Sequence, residues 1–178
     1  KARLGANAIL GVSMAVARAA AASADVPLYR YLRPRDEYSL PVPTINVVNG
    51  GAHAANALDF QEFMLVPGGA STAAQAVRWA AETFHVLKGL LAKAGHVTSV
   101  GDEGGYAPNV TTADDVLDLL MTAIRQAGYR PGQDISLSMD PAASELYRDG
   151  HYEFRKSGQP TRTTAEMIAL WTELADRY

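Results

Sequence analysis

The 178-residue sequence carries 16 Lys+Arg against 19 Asp+Glu, a net charge of −3, with 48% hydrophobic and 20% charged residues. That is the balance of one ordinary folded domain, too apolar for a disordered chain and lacking the basic excess that nucleic acid or an anionic membrane surface selects. There is no cysteine, which excludes disulfides, thiolate metal sites and a cysteine nucleophile.

Residues 4–23 are rich in Ala, Gly and Ser, and small residues on several faces predict a helix built for close packing rather than one amphipathic stripe. Arg18 and Asp25 interrupt this apolar run, so no membrane span is expected, and the charged start and cleavage pattern of a secretory signal is missing. Pro27 opens a short turn of helix over Leu28–Leu32, and a polar connection follows to Ser39. Leu40–Val48 reads as extended, its two prolines confining it to an edge or a strand entry. A loop of small residues, Asn49–Asn56, then leads to a strand over Asp59–Val66.

Thr72 with Gln75 predicts a capped helix running to Gly95. A strand is expected at Val97–Val100, entering the loop Gly101-Asp102-Glu103-Gly104-Gly105. Thr112 caps a second helix through Ala127, and Ile135–Asp140 alternates as a third strand. Asp149-Gly150 marks a hairpin turn, and Thr163 with Glu166 caps the last helix. Strands alternating with helices argue for a parallel sheet with crossover helices. A closed eight-stranded barrel takes ~250 residues, so the expectation is half a barrel or a small open sheet. A start on Lys1 and a last helix running to Tyr178 without a stop signal read as a piece of a longer protein.

Three carboxylates recur at successive separations of about 40 residues, roughly one strand–helix unit each: Glu62, Glu103 and Asp140. In a parallel β/α sheet such positions return to one edge, where active sites of these folds lie. Gathered without cations they repel one another, raise their proton affinity and invite a divalent metal. Equally, they could be ordinary strand-end acids, although an unpaired carboxylate inside a strand, as at Glu62, is costly. The glycines around Glu103 allow backbone to approach an anion or simply make a tight turn. His85, His96 and His151 read as packed or surface residues, whereas His53 rides a glycine-rich loop able to swing over a ligand.

Leu4–Ala22, LPVPTINVVNGGAH (40–53), DFQEFM (59–64), VGDEGGYAPN (100–109) and MDPAASE (139–145) closely resemble the enolases, in family order along the whole chain. The resemblance implies an α/β fold, an incomplete TIM-like β/α barrel opening with a helical segment, with 1–178 as the first portion of the C-terminal barrel domain. It implies a lyase that dehydrates 2-phosphoglycerate to phosphoenolpyruvate in glycolysis and gluconeogenesis with Mg²⁺. It further implies a cytoplasmic homodimer, with an additional cell-surface or secreted pool possible, and no nucleic-acid or membrane partner. The alternatives are dehydration of another acid, such as a sugar acid, or a non-catalytic fragment.

Carried over residue by residue, Glu103 matches the acid that assists departure of the C3 hydroxyl. Glu62 matches the carboxylate supporting it, Gln61 a substrate-contacting neighbour, and His53 the histidine of a loop closing over substrate. Asp140 matches the first of three carboxylate ligands to Mg²⁺. The resemblance also implies a lysine base, two later metal ligands and a phosphate-holding basic cluster, all expected beyond Tyr178. None of Lys1, Lys88, Lys93 and Lys156 stands at the base's place. Ala52 and Ala55 stand near His53 where the family often has acids, and Pro141 follows Asp140 where a small residue or Cys is common.

Overall fold

The computed structural model describes residues 3–178, which fall into two compact units that divide between Leu40 and Pro41. In the first, α1 (Ala6–Ser23) is followed by α2 (Leu28–Leu32), joined by a turn in which Asp25 takes φ 54°. Tyr38 closes back on α2, its hydroxyl donating to the Arg33 carbonyl at 2.8 Å and its ring meeting Tyr29 edge-on. Only Ala21 of α1 is buried. Among the described residues, α1 is the one helix long and apolar enough, by length and composition, to cross a membrane. This corrects the sequence expectation: Arg18 is a single charge within eighteen residues, and Asp25 lies outside the helix.

In the second unit, β1 (Ile45–Asn49), β2 (Glu62–Val66) and β3 (Ser136–Asp140) form a sheet in that order, and both pairings are antiparallel. The expected parallel sheet is therefore corrected. The connection from β1 to β2, residues 50–61, holds only a 3₁₀ turn and no α-helix, whereas a parallel crossover usually packs back through a helix. Phe63 and Leu65 point into the core, both at 0% exposure, while Glu62, Met64 and Val66 face the other side. That period of two is what the sequence showed.

Two helices, α3 (Ala73–Lys93) and α4 (Ala113–Gln126), supply the facing layer. Their buried faces recur at helical spacing: Ala76, Ala80, Thr83, Leu87 and Leu91 on one, Val116, Leu117, Leu120, Ala123 and Ile124 on the other. Thr72 and Thr112 cap them as expected, each accepting at 3.1 Å from the backbone N–H three residues on. A short helix α5 (Ala143–Leu146) leads to the hairpin β4 (Tyr147–Arg148) and β5 (His151–Tyr152). Asp149 and Gly150 both take positive φ at its turn, the reason an Asp-Gly pair occurs there. The last helix, α6 (Thr164–Arg177), begins with the full Thr163/Glu166 capping box, and its Trp171 meets Phe60.

Residues 97–100 do not form a strand. The glycine loop instead folds back, so that Val100 and Val48 each make a single-residue pairing with Tyr106. The Tyr106 N–H donates to Val47 and its carbonyl accepts from Asn49, both at 2.9 Å. The free edge of β1 is thus covered by one residue, which Phe84 of α3 stacks against at 4.2 Å. This anchors the foot of the Glu103 loop to the sheet.

Candidate active site

One end of the sheet collects the polar residues. The register places Asn49, Glu62 and Asp140 in a row across β1, β2 and β3. Glu62 is the first residue of its strand and Asp140 the last of its own. In a parallel sheet they would lie at opposite edges; antiparallel pairing brings them together. The sequence reading reached the right grouping from the wrong topology.

Two loops complete the cluster. A 3₁₀ turn, Gly51–His53, follows β1 and turns the imidazole over the sheet edge. His53 Nδ1 lies 3.6 Å from Glu62 Oε1 and 3.8 Å from Glu103 Oε1. These are ion-pair rather than hydrogen-bond separations, and the shielded Nδ1 has no hydrogen-bond partner among the described residues. The glycine loop brings Glu103 from the opposite side, where Asn46 Nδ2 donates to its Oε2 at 3.1 Å. The loop closes on itself through Gly101 N–H to the Gly105 carbonyl, 2.8 Å, and touches the histidine turn through Asp102 N–H to the His53 carbonyl, 3.2 Å. A cleft lined by Ala52, His53, Ala55, Ser99, Gly101 and Asp102 opens beside the imidazole.

Close packing requires the two glycines that bracket the loop. A Cβ on Gly101 would lie 2.6 Å from the Asn49 amide nitrogen, and one on Gly105 would lie 2.4 Å from its amide oxygen. Asn49 is fully buried between them, and neither of its amide atoms finds a partner among the described residues.

Burial pushes the Glu62 carboxyl above the ordinary 4.5, helped by hydrogen bonding and like charge from Glu103 and by the charge of Asp140; His53 opposes this. From 4.5 up to the raised folded value, the folded protein holds a proton that the unfolded chain has lost. Stability therefore falls as pH rises through that window, and the deficit persists above it. Glu62→Gln in the full-length protein is expected to flatten that part of the pH dependence, with a gain in Tm at neutral pH that disappears in mild acid. A Glu62→Gln protein whose Tm, relative to wild type, is lowered more at neutral pH than in mild acid would contradict this.

The donor atoms of His53, Glu62 and Glu103 all lie within 4.8 Å of one another, a group able to hold a metal ion. A nitrogen among the donors suits a borderline cation, whereas Asp140 offers the carboxylate oxygen that Mg²⁺ prefers. One Asp140 oxygen accepts from Ala142 N–H at 2.8 Å. Gln61 directly precedes β2, and its carbonyl accepts from Gly50 at 2.9 Å. All five residues singled out from the sequence thus lie on or beside this sheet edge. Asn46 and Asn49 were not singled out, although asparagines inside a strand are depleted residues and were a readable signal.

An open three-stranded sheet backed by helices, with an imidazole and three carboxylates at one edge, defines an α/β protein with an acid-lined site. The family model "Enolase, C-terminal TIM barrel domain" matches residues 37–178, and "Enolase, N-terminal domain" matches residues 1–32. The chain belongs to the enolase family, and its open sheet fits an incomplete barrel. The two matches divide it close to the boundary between its compact units; the sequence reading counts residues 1–32 with the barrel. The chain is 53% identical over all 178 residues to "Enolase 1" of Methylococcus capsulatus, and spans 42% of that protein's length. Enolase membership implies a divalent metal.

Proposed function

We propose that the full-length protein is a hydro-lyase that converts 2-phospho-D-glycerate to phosphoenolpyruvate and water in glycolysis and gluconeogenesis, with Mg²⁺ as its metal. The observation that carries this reading is the convergence of Glu103, Glu62 and His53 at one sheet edge, with the proton affinity of Glu62 raised. The reaction removes the proton on C2, breaks the C3–O bond and forms a C2–C3 double bond. Hydroxide is a poor leaving group, so an acid must deliver a proton to the departing oxygen. Glu103 is that acid, held by Asn46. Glu62, whose proton affinity is raised by burial and then by its hydrogen bond and like charge with Glu103, is placed to share a proton with that acid. His53 closes over the substrate, and Gln61 contacts it.

When bound, Mg²⁺ supplies positive charge opposite the substrate carboxylate, where negative charge develops as the C2 proton leaves. Asp140 would be one of its ligands. The base that takes the C2 proton is a lysine elsewhere in the full-length protein. Lys88 and Lys93 are exposed on α3, and Lys156 Nζ is committed to backbone carbonyls. We expect these 178 residues alone to be inactive, and the full-length protein to be a cytoplasmic homodimer.

The test supplies the full-length protein with Mg²⁺ and either 2-phosphoglycerate or a sugar acid. Phosphoenolpyruvate formation, followed by ultraviolet absorbance and abolished by a chelator, is expected from the first alone. Turnover of the sugar acid without turnover of 2-phosphoglycerate would assign the site to a different acid dehydratase.

A further inference from the structure

The turn that carries His53 is held by a side chain from the far end of the unit. Lys156, in the segment between β5 and α6, extends Nζ to the carbonyls of Gly51 at 2.7 Å and Ala54 at 2.8 Å, with Asn56 Oδ1 at 3.4 Å. Gly51 and Ala54 bracket Ala52 and His53 in sequence. A 3₁₀ turn of three residues leaves carbonyls without helical donors, and an ammonium group with three donors and no acceptor can satisfy several of them at once.

The segment presenting Lys156 is itself fixed. The backbone N–H groups of Lys156 and Ser157 both donate to the buried Asp59 carboxylate at 2.9 Å, and the Ser157 hydroxyl bonds to the same carboxylate. Asn56 Nδ2 ties the other end of the loop to the carbonyls of Asn49 at 2.9 Å and Pro108 at 3.0 Å. Lys156 as a residue stays solvent-accessible, so its ammonium is free to carry its charge while its donors are used. Partial burial lowers its proton affinity and the Asp59 charge counters that. The contacts span about a hundred residues of sequence, so no local pattern accounts for them.

We propose that Lys156 is a positioning residue for His53, its ammonium clasping the Gly51–Ala54 turn so that the imidazole is presented between Glu62 and Glu103. This rests on the reading of His53 as the residue that closes over substrate. A clasp of this kind defines the resting position of the turn and limits how far the imidazole wanders between turnovers.

The experiment compares full-length wild type, Lys156→Met and Lys156→Arg by amide hydrogen exchange and by kinetics with 2-phosphoglycerate. Removing a charged donor shared by two carbonyls is expected to speed exchange over residues 51–56 by roughly 10- to 100-fold, with α3 and α4 unchanged. KM should rise or kcat fall in parallel, and Lys156→Arg, which keeps charge and donors, should recover most of both effects. Unchanged exchange at 51–56 in Lys156→Met overturns the proposal. So does acceleration spread equally over α3 and α4, since that is general loosening. A wild type that does not turn over 2-phosphoglycerate overturns the proposed reaction instead, and the exchange data then decide the clasp by themselves.

Discussion

Glu103→Gln in the full-length protein is expected to cut the turnover of 2-phosphoglycerate by roughly 10²- to 10⁴-fold, the range a positioned general acid supplies. The substitution preserves shape, and the Asn46 amide that donates to Glu103 Oε2 can donate equally to a glutamine oxygen. The loop should therefore keep its place, since its fold depends on Gly101, Gly105 and the Tyr106 pairing rather than on the carboxyl group. What disappears is the proton for the departing hydroxyl. The loss should fall on kcat with little change in KM, because a group that acts only as the C3–O bond breaks contributes little to ground-state binding. Steady-state kinetics measure this, and a kcat within about tenfold of wild type would remove Glu103 from the acid's role.

Phe63→Ala is expected to cost about 3–5 kcal/mol of unfolding free energy, the range for truncating a fully buried aromatic ring. Phe63 is at 0% exposure in the central strand, paired with Val48 on one side and Met139 on the other. Deleting its ring leaves a cavity where the sheet meets the helix layer. The neighbouring residue in the chain is Glu62, so a shift of β2 moves the carboxylate that must face Glu103 and His53. Denaturant unfolding of the full-length protein gives the stability change, and a loss under about 1 kcal/mol would show that the core does not depend on this ring. Activity should fall more than the folded fraction accounts for.

Helix limits were legible because they are written locally. Thr72, Thr112 and Thr163 cap the helices they were expected to cap, and Asp149-Gly150 turns the hairpin it was expected to turn. The candidate acids were legible from their recurrence at about one strand–helix unit, and Glu62 also from the cost of an unpaired carboxylate inside a strand. Strand direction was not legible, since period-two alternation reads the same in parallel and antiparallel sheets. The segment 97–100 was misread for a related reason. Its apolar residues suit a strand, but the glycines after it reverse the chain before a ladder forms, leaving only the Tyr106 pairings.

The side chains that hold the site together were the least legible. Asn46 reaches Glu103 across 57 residues and Lys156 reaches Gly51 across 105. Such pairs are set by tertiary packing, and the lysine in particular looked like one more loop charge. The enolase resemblance supplied the site residues in order, and the geometry supplied what holds them.

The central claim is that the edge formed by His53, Glu62 and Glu103 serves departure of the hydroxyl, while the C2 proton is taken by a different group. The most direct measurement follows two events in full-length Glu103→Gln held in D₂O with Mg²⁺ and 2-phosphoglycerate. One is exchange of the C2 hydrogen with solvent, read by NMR; the other is formation of phosphoenolpyruvate. The account predicts that C2 exchange continues while phosphoenolpyruvate formation collapses. Loss of both together would place Glu103 in the proton-abstraction step and contradict the division of labour proposed for this site.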